Sequence, residues 1–374
     1  MAMLVARGVL LAVLAAQLGG AQELPKGRIV PEVKCLADAT ESYALYLPSN
    51  YSPDRLWPVI FAFDPAARGS VPVERYQAAA ERYGYLVLGS NRSRNGPWAV
   101  SMRAAQAMIV DAGERFRIDE RRVYTAGMSG GARVALGVAL GSKGIAGVIA
   151  SSAGFPDSRP RKTVDFAVFG TAGTEDFNLA EMRHMDRALT SPHHLAVFDG
   201  GHAWLSSELA MEAVEWMEVQ ARGSRVDEIF AKRKTALEGM TGVERRRAAQ
   251  AIVVDFGGVK DVSAYAAQAK ELERDKRVRD ALKRERDDDA LEERDTRQIL
   301  GLEAQLGNVD QRGQALVGLR SEWKRLSAVA NGGADTAERR RARRVLRGLS
   351  MGARERSADA EYLKILSEYR LAGR

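Results

Sequence analysis

The pentapeptide Gly127-Met128-Ser129-Gly130-Gly131 sets a serine between glycines. It directly follows a short β-rich run, residues 123–126, and directly precedes a helical run that begins at Ala132. A strand that turns at once into a helix strains its central residue, and glycine on either side relieves the clash. The hydroxyl would then project above a sheet, at a helix N-terminus whose dipole favours negative charge. In a chain with 35 glycines the pentapeptide alone carries little weight. Its context makes Ser129 the candidate nucleophile.

A serine hydroxyl is a poor nucleophile until a base takes its proton. The chain offers four histidines. His184 falls inside a helical pattern, residues 179–189. His193 and His194 precede the run 195–198 and are expected at the surface. His202 follows that run in Asp199-Gly-Gly-His-Ala-Trp204, on a loop freed by two glycines, and is the candidate base. An acid must fix its tautomer. After the run 164–169 the chain reads Gly170-Thr-Ala-Gly-Thr-Glu-Asp-Phe-Asn178. Asp176 is the candidate and Glu175 the alternative, because spacing does not separate adjacent carboxylates. An oxyanion hole would take the backbone N–H of Gly130 and a second donor from the loop after Phe63. Pro65 has no N–H, so Ala66 is the first residue there that could donate. Asp64, Trp98, Phe177 and Trp204 are the candidate pocket residues. This chemistry calls for no metal and no cofactor. The single cysteine, Cys35, excludes an internal disulfide and is expected as a small buried hydrophobe.

These residues need a scaffold. Residues 57–63 are continuously apolar. Helical patterns cover 71–83, stopped by Gly84, then 98–116 and 132–140. Strand-like runs cover 85–88, 123–126, 144–150, 164–169 and 195–198, and 43–47 adds an antiparallel strand at the beginning. Apolar strands alternating with helices predict a mostly parallel sheet covered on both faces, an α/β fold. Such sheets carry their chemistry at the carboxyl ends of the strands. Ser129, Asp176 and His202 all fall at such ends.

Residues about 40–220 resemble the α/β-hydrolase superfamily, and more narrowly secreted esterases of the polyhydroxybutyrate-depolymerase and feruloyl-esterase type. The segment Phe116-Arg-Ile-Asp119-Glu-Arg-Arg-Val-Tyr-Thr-Ala-Gly-Met-Ser129-Gly-Gly is similar to the approach to the nucleophile in that group. The resemblance implies an α/β-hydrolase fold and a serine hydrolase of the carboxylesterase class. It implies Ser129 as nucleophile, Asp176 as acid, His202 as base and Gly130 as oxyanion donor. Those families usually carry His-Gly after the third strand, and this chain has Asp64-Pro65. A carboxylate beside a developing oxyanion is unhelpful unless it is turned away or neutralised.

Charge divides the chain. Residues 1–222 hold 23 Lys+Arg and 23 Asp+Glu, whereas residues 223–374 hold 33 and 26. All 11 prolines and all four histidines precede the cut. Residues 1–21 read as a secretory signal, with Arg7 their only charge and Gly19-Gly20-Ala21 before a cut at Gln22, which predicts a secreted or periplasmic protein. Residues 22–222 are expected as the α/β-hydrolase domain. Residues 223–374 are expected as a charged all-α domain with helices at about 225–238, 242–256, 261–305, 309–330 and 335–370, the last broken near 350–352. Ser224 and Thr241 read as capping-box residues. The run Arg339-Arg-Arg-Ala-Arg-Arg344 reads as a solvated face balanced by neighbouring acids, or as an anion-binding patch. Export and scarce aromatics count against nucleic acid. The expected partners are an ester, bulky or polymeric, for the first domain, and a protein or anionic envelope surface for the tail. On this reading, deletion of 223–374 should spare hydrolysis of small esters. Two alternatives stay open: a serine peptidase of the same fold, and a degenerate, non-catalytic fold presenting a helical interaction module.

Overall fold

A computed structural model describes residues 24–157, 159, 161–369 and 371. The expected leader, residues 1–21, lies outside the described residues. Eight strands form one sheet: β1 (Ile29–Lys34), β2 (Ser42–Tyr46), β3 (Trp57–Phe63), β4 (Leu86–Ser90), β5 (Ile118–Met128), β6 (Gly147–Ser151), β7 (Ala167–Gly173) and β8 (His193–Phe198). The helices between and after them are α1 (Ser70–Tyr83), α2 (Trp98–Arg115), α3 (Gly130–Gly141), α4 (Leu179–Ala188) and α5 (Ser207–Gln220). The tail adds α6 (Val226–Glu238), α7 (Gly242–Phe256), α8 (Ser263–Leu272), α9 (Lys276–Gln305), α10 (Val309–Ala330), α11 (Ala337–Arg356) and α12 (Ala360–Glu368).

The strand order is β1-β2-β4-β3-β5-β6-β7-β8. β1 and β2 run antiparallel to their neighbours and the other pairs are parallel. Period-two alternation divides each strand between two cores. Val59, Phe61 and Phe63 face the core under α2, α3 and α4, while Ile60 and Ala62 face the core under α1 and α5. All seven residues of β3 are buried, as its continuous apolar run requires. β1 was not anticipated. Pro31 and a register shift between Val30 and Val33 interrupt its alternation, which an edge strand tolerates. His193 and His194, expected at the surface, lie within β8. The His194 ring stacks on Phe169 at 4.9 Å, and burial pushes its pKa down. Cys35 is buried, which raises its thiol to about 11 and removes it from nucleophilic chemistry.

The expected domain cut at 222/223 is not a packing boundary. Ile229, Leu237, Ile252, Phe256 and Ala269, from α6 to α8, belong to the same core as Tyr124, Phe169 and Trp216. A separate core begins later, around Ile299, Leu319, Trp323, Leu346 and Tyr362 from α9 to α12. Charge density reports the outer faces of these helices, whereas their apolar stripes still cover the sheet. Cutting at 223 would therefore strip the sheet-bearing half of part of its core.

Helix ends in the tail are set by aspartates that the apolar periodicity does not reveal. The stretch 261–305 is two helices, because the Asp275 carboxylate accepts the N–H groups of Arg277 (2.6 Å) and Val278 (3.4 Å) and starts α9. The last break falls at 357–359, where Asp359 caps α12, and Gly352 stays inside α11. Ser224 and Thr241 do not act as expected: Arg225 is the N-cap of α6, and Thr241 caps α7 without a side-chain hydrogen bond.

The arginine run is neither a solvated face nor an anion patch. Arg341, Arg343 and Arg344 are buried. Arg341 pairs with Asp288, Arg344 Nε lies 3.0 and 3.1 Å from the two Glu292 oxygens, and Arg340 pairs with Asp335 at 2.8 Å. α11 lies between α9, which carries Asp288 and Glu292, and the loop of the sheet-bearing half at 174–175, so the anions that neutralise it belong to this chain.

Candidate active site

Ser129 sits at the turn between β5 and α3 with φ 55° and ψ −123°. A non-glycine residue held there stores about 1–3 kcal/mol of strain. The turn is tight enough to need its glycines. A Cβ on Gly127 would lie 2.1 Å from the Gly131 carbonyl oxygen, and one on Gly131 would lie 1.9 Å from that of Phe63. The Ser129 N–H donates to the Ser151 carbonyl (2.8 Å), and the Ser129 carbonyl accepts from Ala132 in the first turn of α3 (3.0 Å).

Ser129 Oγ lies 2.8 Å from His202 Nε2, and His202 Nδ1 lies 2.8 Å from Asp176 Oδ1. An ionised carboxylate only accepts. Asp176 therefore places the proton on Nδ1 and leaves Nε2 to accept from the serine hydroxyl. Asp176 is fully buried, and its Oδ1 also accepts the Asn178 N–H at 2.9 Å. Glu175 points the other way, toward Arg343 and Arg347 of α11. The geometry thus separates two carboxylates that spacing left together. The serine follows β5, the acid follows β7 and the histidine follows β8, in a sheet ordered β1-β2-β4-β3-β5-β6-β7-β8. This is the α/β-hydrolase fold.

No protein-family model matches the chain, and no curated protein does. Solved structures similar to it include an esterase of Pyrobaculum calidifontis at 11% identity and TM-score 0.42, covering 57% of this chain and 91% of that one. Another is Est1E from Butyrivibrio proteoclasticus, at 15% identity and TM-score 0.42, covering 52% of this chain and 100% of that one. A third is the feruloyl esterase module of Clostridium thermocellum, at 13% identity and TM-score 0.40, covering 50% and 85%.

The histidine loop is fixed from several sides. Trp204 Nε1 donates to Asp64 Oδ2 (2.8 Å), Ser152 Oγ donates to the Ala203 carbonyl (3.1 Å), and Phe177 stacks on the imidazole with centroids 4.1 Å apart. The acid loop is zipped to it by Thr174 N–H on Phe198 O (2.8 Å) and Glu175 N–H on Gly200 O (2.7 Å).

Asp64, expected in the pocket, is instead fully buried. Its carboxylate accepts from Arg68 Nε (2.9 Å) and Nη2 (3.0 Å), from the Ala66 N–H (2.8 Å) and from Trp204. Burial alone would raise its pKa, but the bonds from Arg68, Trp204 and Ala66 together outweigh it and hold the group below its ordinary value. Two expectations fall with this. The Ala66 N–H is engaged by Asp64 and is not aimed at an oxyanion. Trp204 is buried and anchors the histidine loop rather than lining a pocket. Phe177 does touch the imidazole. Trp98 is 46% exposed and lies over Gly137 of α3, where a Cβ would come within 2.6 Å of its ring.

Asn95 was missed as a site residue. Its carboxamide lies against Gly130, where a Cβ would come within 1.8 Å of Oδ1, and its N–H donates to the Pro65 carbonyl (2.8 Å). The signal was available: Asn95-Gly-Pro is a turn signature closely following β4. Among the described residues no group of three His, Cys, Asp or Glu side chains is arranged to hold a metal ion.

Asp64 gives a direct test. Asp64→Ala should slow labelling of Ser129 by a fluorophosphonate by about 10²-fold, because a displacement of about 1 Å in a reacting group can cost that much. Folded Asp64→Ala protein that labels at the wild-type rate would detach Asp64 from the histidine. The lowered carboxyl also sets a sign: its stabilisation is present above about pH 4, the unfolded value, and is lost as pH falls through the folded one.

Proposed function

We propose that the protein is an exported serine hydrolase that cleaves carboxylic esters. The observation that carries this reading is the row Ser129 Oγ, His202, Asp176, with both contacts at 2.8 Å. The Ser129 hydroxyl gives its proton to His202 Nε2 as its oxygen bonds to the ester carbonyl carbon, and the carbonyl oxygen becomes an oxyanion. Collapse breaks the bond to the alcohol oxygen, which takes the proton from His202 and leaves an acyl-enzyme. Water repeats the sequence on the acyl group, giving its proton to His202, and releases the acid and free Ser129. Asp176 stabilises the imidazolium formed in each half.

The Gly130 N–H, at the start of α3, is one oxyanion donor. We assign the second to Nδ2 of the Asn95 carboxamide, the donor end of a group whose Oδ1 is the atom nearest Gly130. Asn95→Ala should then lower kcat by about 10²–10³-fold. A kcat within twofold of wild type would remove Asn95 from the oxyanion site.

Ser129→Ala should abolish both fluorophosphonate labelling and ester hydrolysis. Labelling that persists would rule out this nucleophile. A panel running from short soluble esters through polymeric ones to peptides tests the substrate class. Peptide cleavage without ester cleavage would move the protein to the peptidases, and activity confined to short esters would exclude the bulky substrate.

Export rests on the sequence of residues 1–21. Mature protein recovered from outside the cytoplasm should begin at Gln22 by N-terminal sequencing. A retained Met1 would contradict a cleaved leader.

A further inference from the structure

α11 meets the hydrolase half at the loop that carries the acid. Arg344 Nη1 donates to the Thr174 carbonyl (2.7 Å), while its Nε is fixed on Glu292 of α9 (3.0 and 3.1 Å). Arg343 reaches both Glu175 oxygens with Nη1 (3.3 Å each) and holds the Ala330 carbonyl at the end of α10 with Nε (3.1 Å). Arg347 adds a contact to Glu175 at 3.4 Å. Residues four apart share a helix face, so Arg343 and Arg347 close on one carboxylate together. Gly348 then lies on Phe177, where a Cβ would stand 3.5 Å from that of the phenylalanine, and Phe177 stacks on His202. Asp176 stands between these two braced residues.

We propose that Arg343, Arg344 and Arg347 are positioning residues for the reaction, so that the helical tail is part of the active site. The inference rests on the reading of Ser129, His202 and Asp176 as a catalytic triad. A second observation supports it from the side of the acid. Asp176 Oδ2 is buried and, among the described residues, no side chain or backbone group bonds it, so the protein holds this carboxylate through Oδ1 alone. Its direction depends on the loop, and the loop is gripped from α11. Arg343 and Arg344 each have one end bonded within the helical tail and the other on the loop. The Arg343 and Arg344 side chains are only 9% and 4% exposed, so solvent and salt screen these contacts weakly.

The test uses the full chain. Glu175→Gln keeps the shape but removes the charge on which Arg343 and Arg347 close. Arg347→Gln alters a side chain that is one-third exposed and leaves the rest of the brace in place. On a small ester, Glu175→Gln should lower kcat about tenfold or more while KM changes less than about twofold, and Arg347→Gln should do the same less strongly. Arg347→Lys should recover part of the loss. The acid limb of the rate profile should move to lower pH, because a loosened carboxylate stabilises the imidazolium less. The low-field proton resonance of His202 Nδ1–H should move upfield or broaden. Folded variants with wild-type kcat, acid limb and resonance would overturn the proposal. If Glu175→Gln does not fold, Arg347→Gln decides by the same readouts. A wild-type protein that neither hydrolyses esters nor labels would refute the functional reading alone. The His202 resonance would then decide the brace: a shift in the variants supports it, and none overturns it.

Discussion

His202 must stay within hydrogen-bond reach of two groups that belong to different strands. Its own loop, with glycines at 200 and 201, does little to keep it there. The ring is held instead by neighbours approaching from separate parts of the fold. Trp204 ties the following backbone to Asp64 after β3, Ser152 holds the Ala203 carbonyl from the end of β6, and Phe177 presses on the ring face from the acid loop. Contacts from three directions restrict both translation and rotation of the imidazole. Ser152 has φ 62°, an uncommon conformation for a residue with a side chain, and it stands at one of these anchors. The acid loop approaches so closely that a Cβ on Gly173 would come within 2.4 Å of the Gly200 and Gly201 carbonyls.

Asp64 links this anchoring to the oxyanion question. A carboxylate at this place threatens an oxyanion only if it faces one. Here it turns into the protein, where Arg68 supplies the opposite charge and Trp204 and the Ala66 amide fill its remaining acceptor capacity. The same residue thus has two effects: it fixes the histidine loop, and it withdraws the Ala66 N–H. The site that results needs another donor. The loop bearing Asn95 is tied to Pro65, the neighbour of Asp64, so the two loops are set against each other by one short backbone bond.

The parts of this arrangement that sequence made legible are those governed by local constraint. Glycines flanking Ser129, apolar runs ending in polar loops and the chain order of Ser129, Asp176 and His202 all follow from backbone sterics and strand burial. What sequence left open depends on direction. Asp176 and Glu175 are adjacent, and only the twist of the turn decides which meets the imidazole and which meets α11. Asp64 reads as polar and near the site, but its orientation comes from Arg68 and Trp204, four and 140 residues away. The domain cut failed for a related reason, since composition records outward faces and packing records inward ones. Asp275 and Asp359 were invisible among many charges because a capping aspartate differs from a solvated one only in its hydrogen bonds.

The buried arginines of α11 raise the question of what such an arrangement contributes. Removing both members of the Arg344–Glu292 pair from water costs several kcal/mol per ion, and well-packed apolar residues would often stabilise the bundle equally or better. Stability is therefore a weak reason for the pair. Direction is a better one. A guanidinium is a planar fork that bonds a carboxylate only within narrow angles. Fixing Arg344 on Glu292 sets the rotation of α11 about its axis, and that rotation presents Arg343 and Arg347 to Glu175 and Gly348 to Phe177. A greasy contact could hold α11 in place yet leave it free to roll, whereas a fork fastened at one end converts the register of the tail helices into the placement of a loop in the hydrolase half. The buried arginines of α11 thus have an inward role, in which charge is buried to fix orientation.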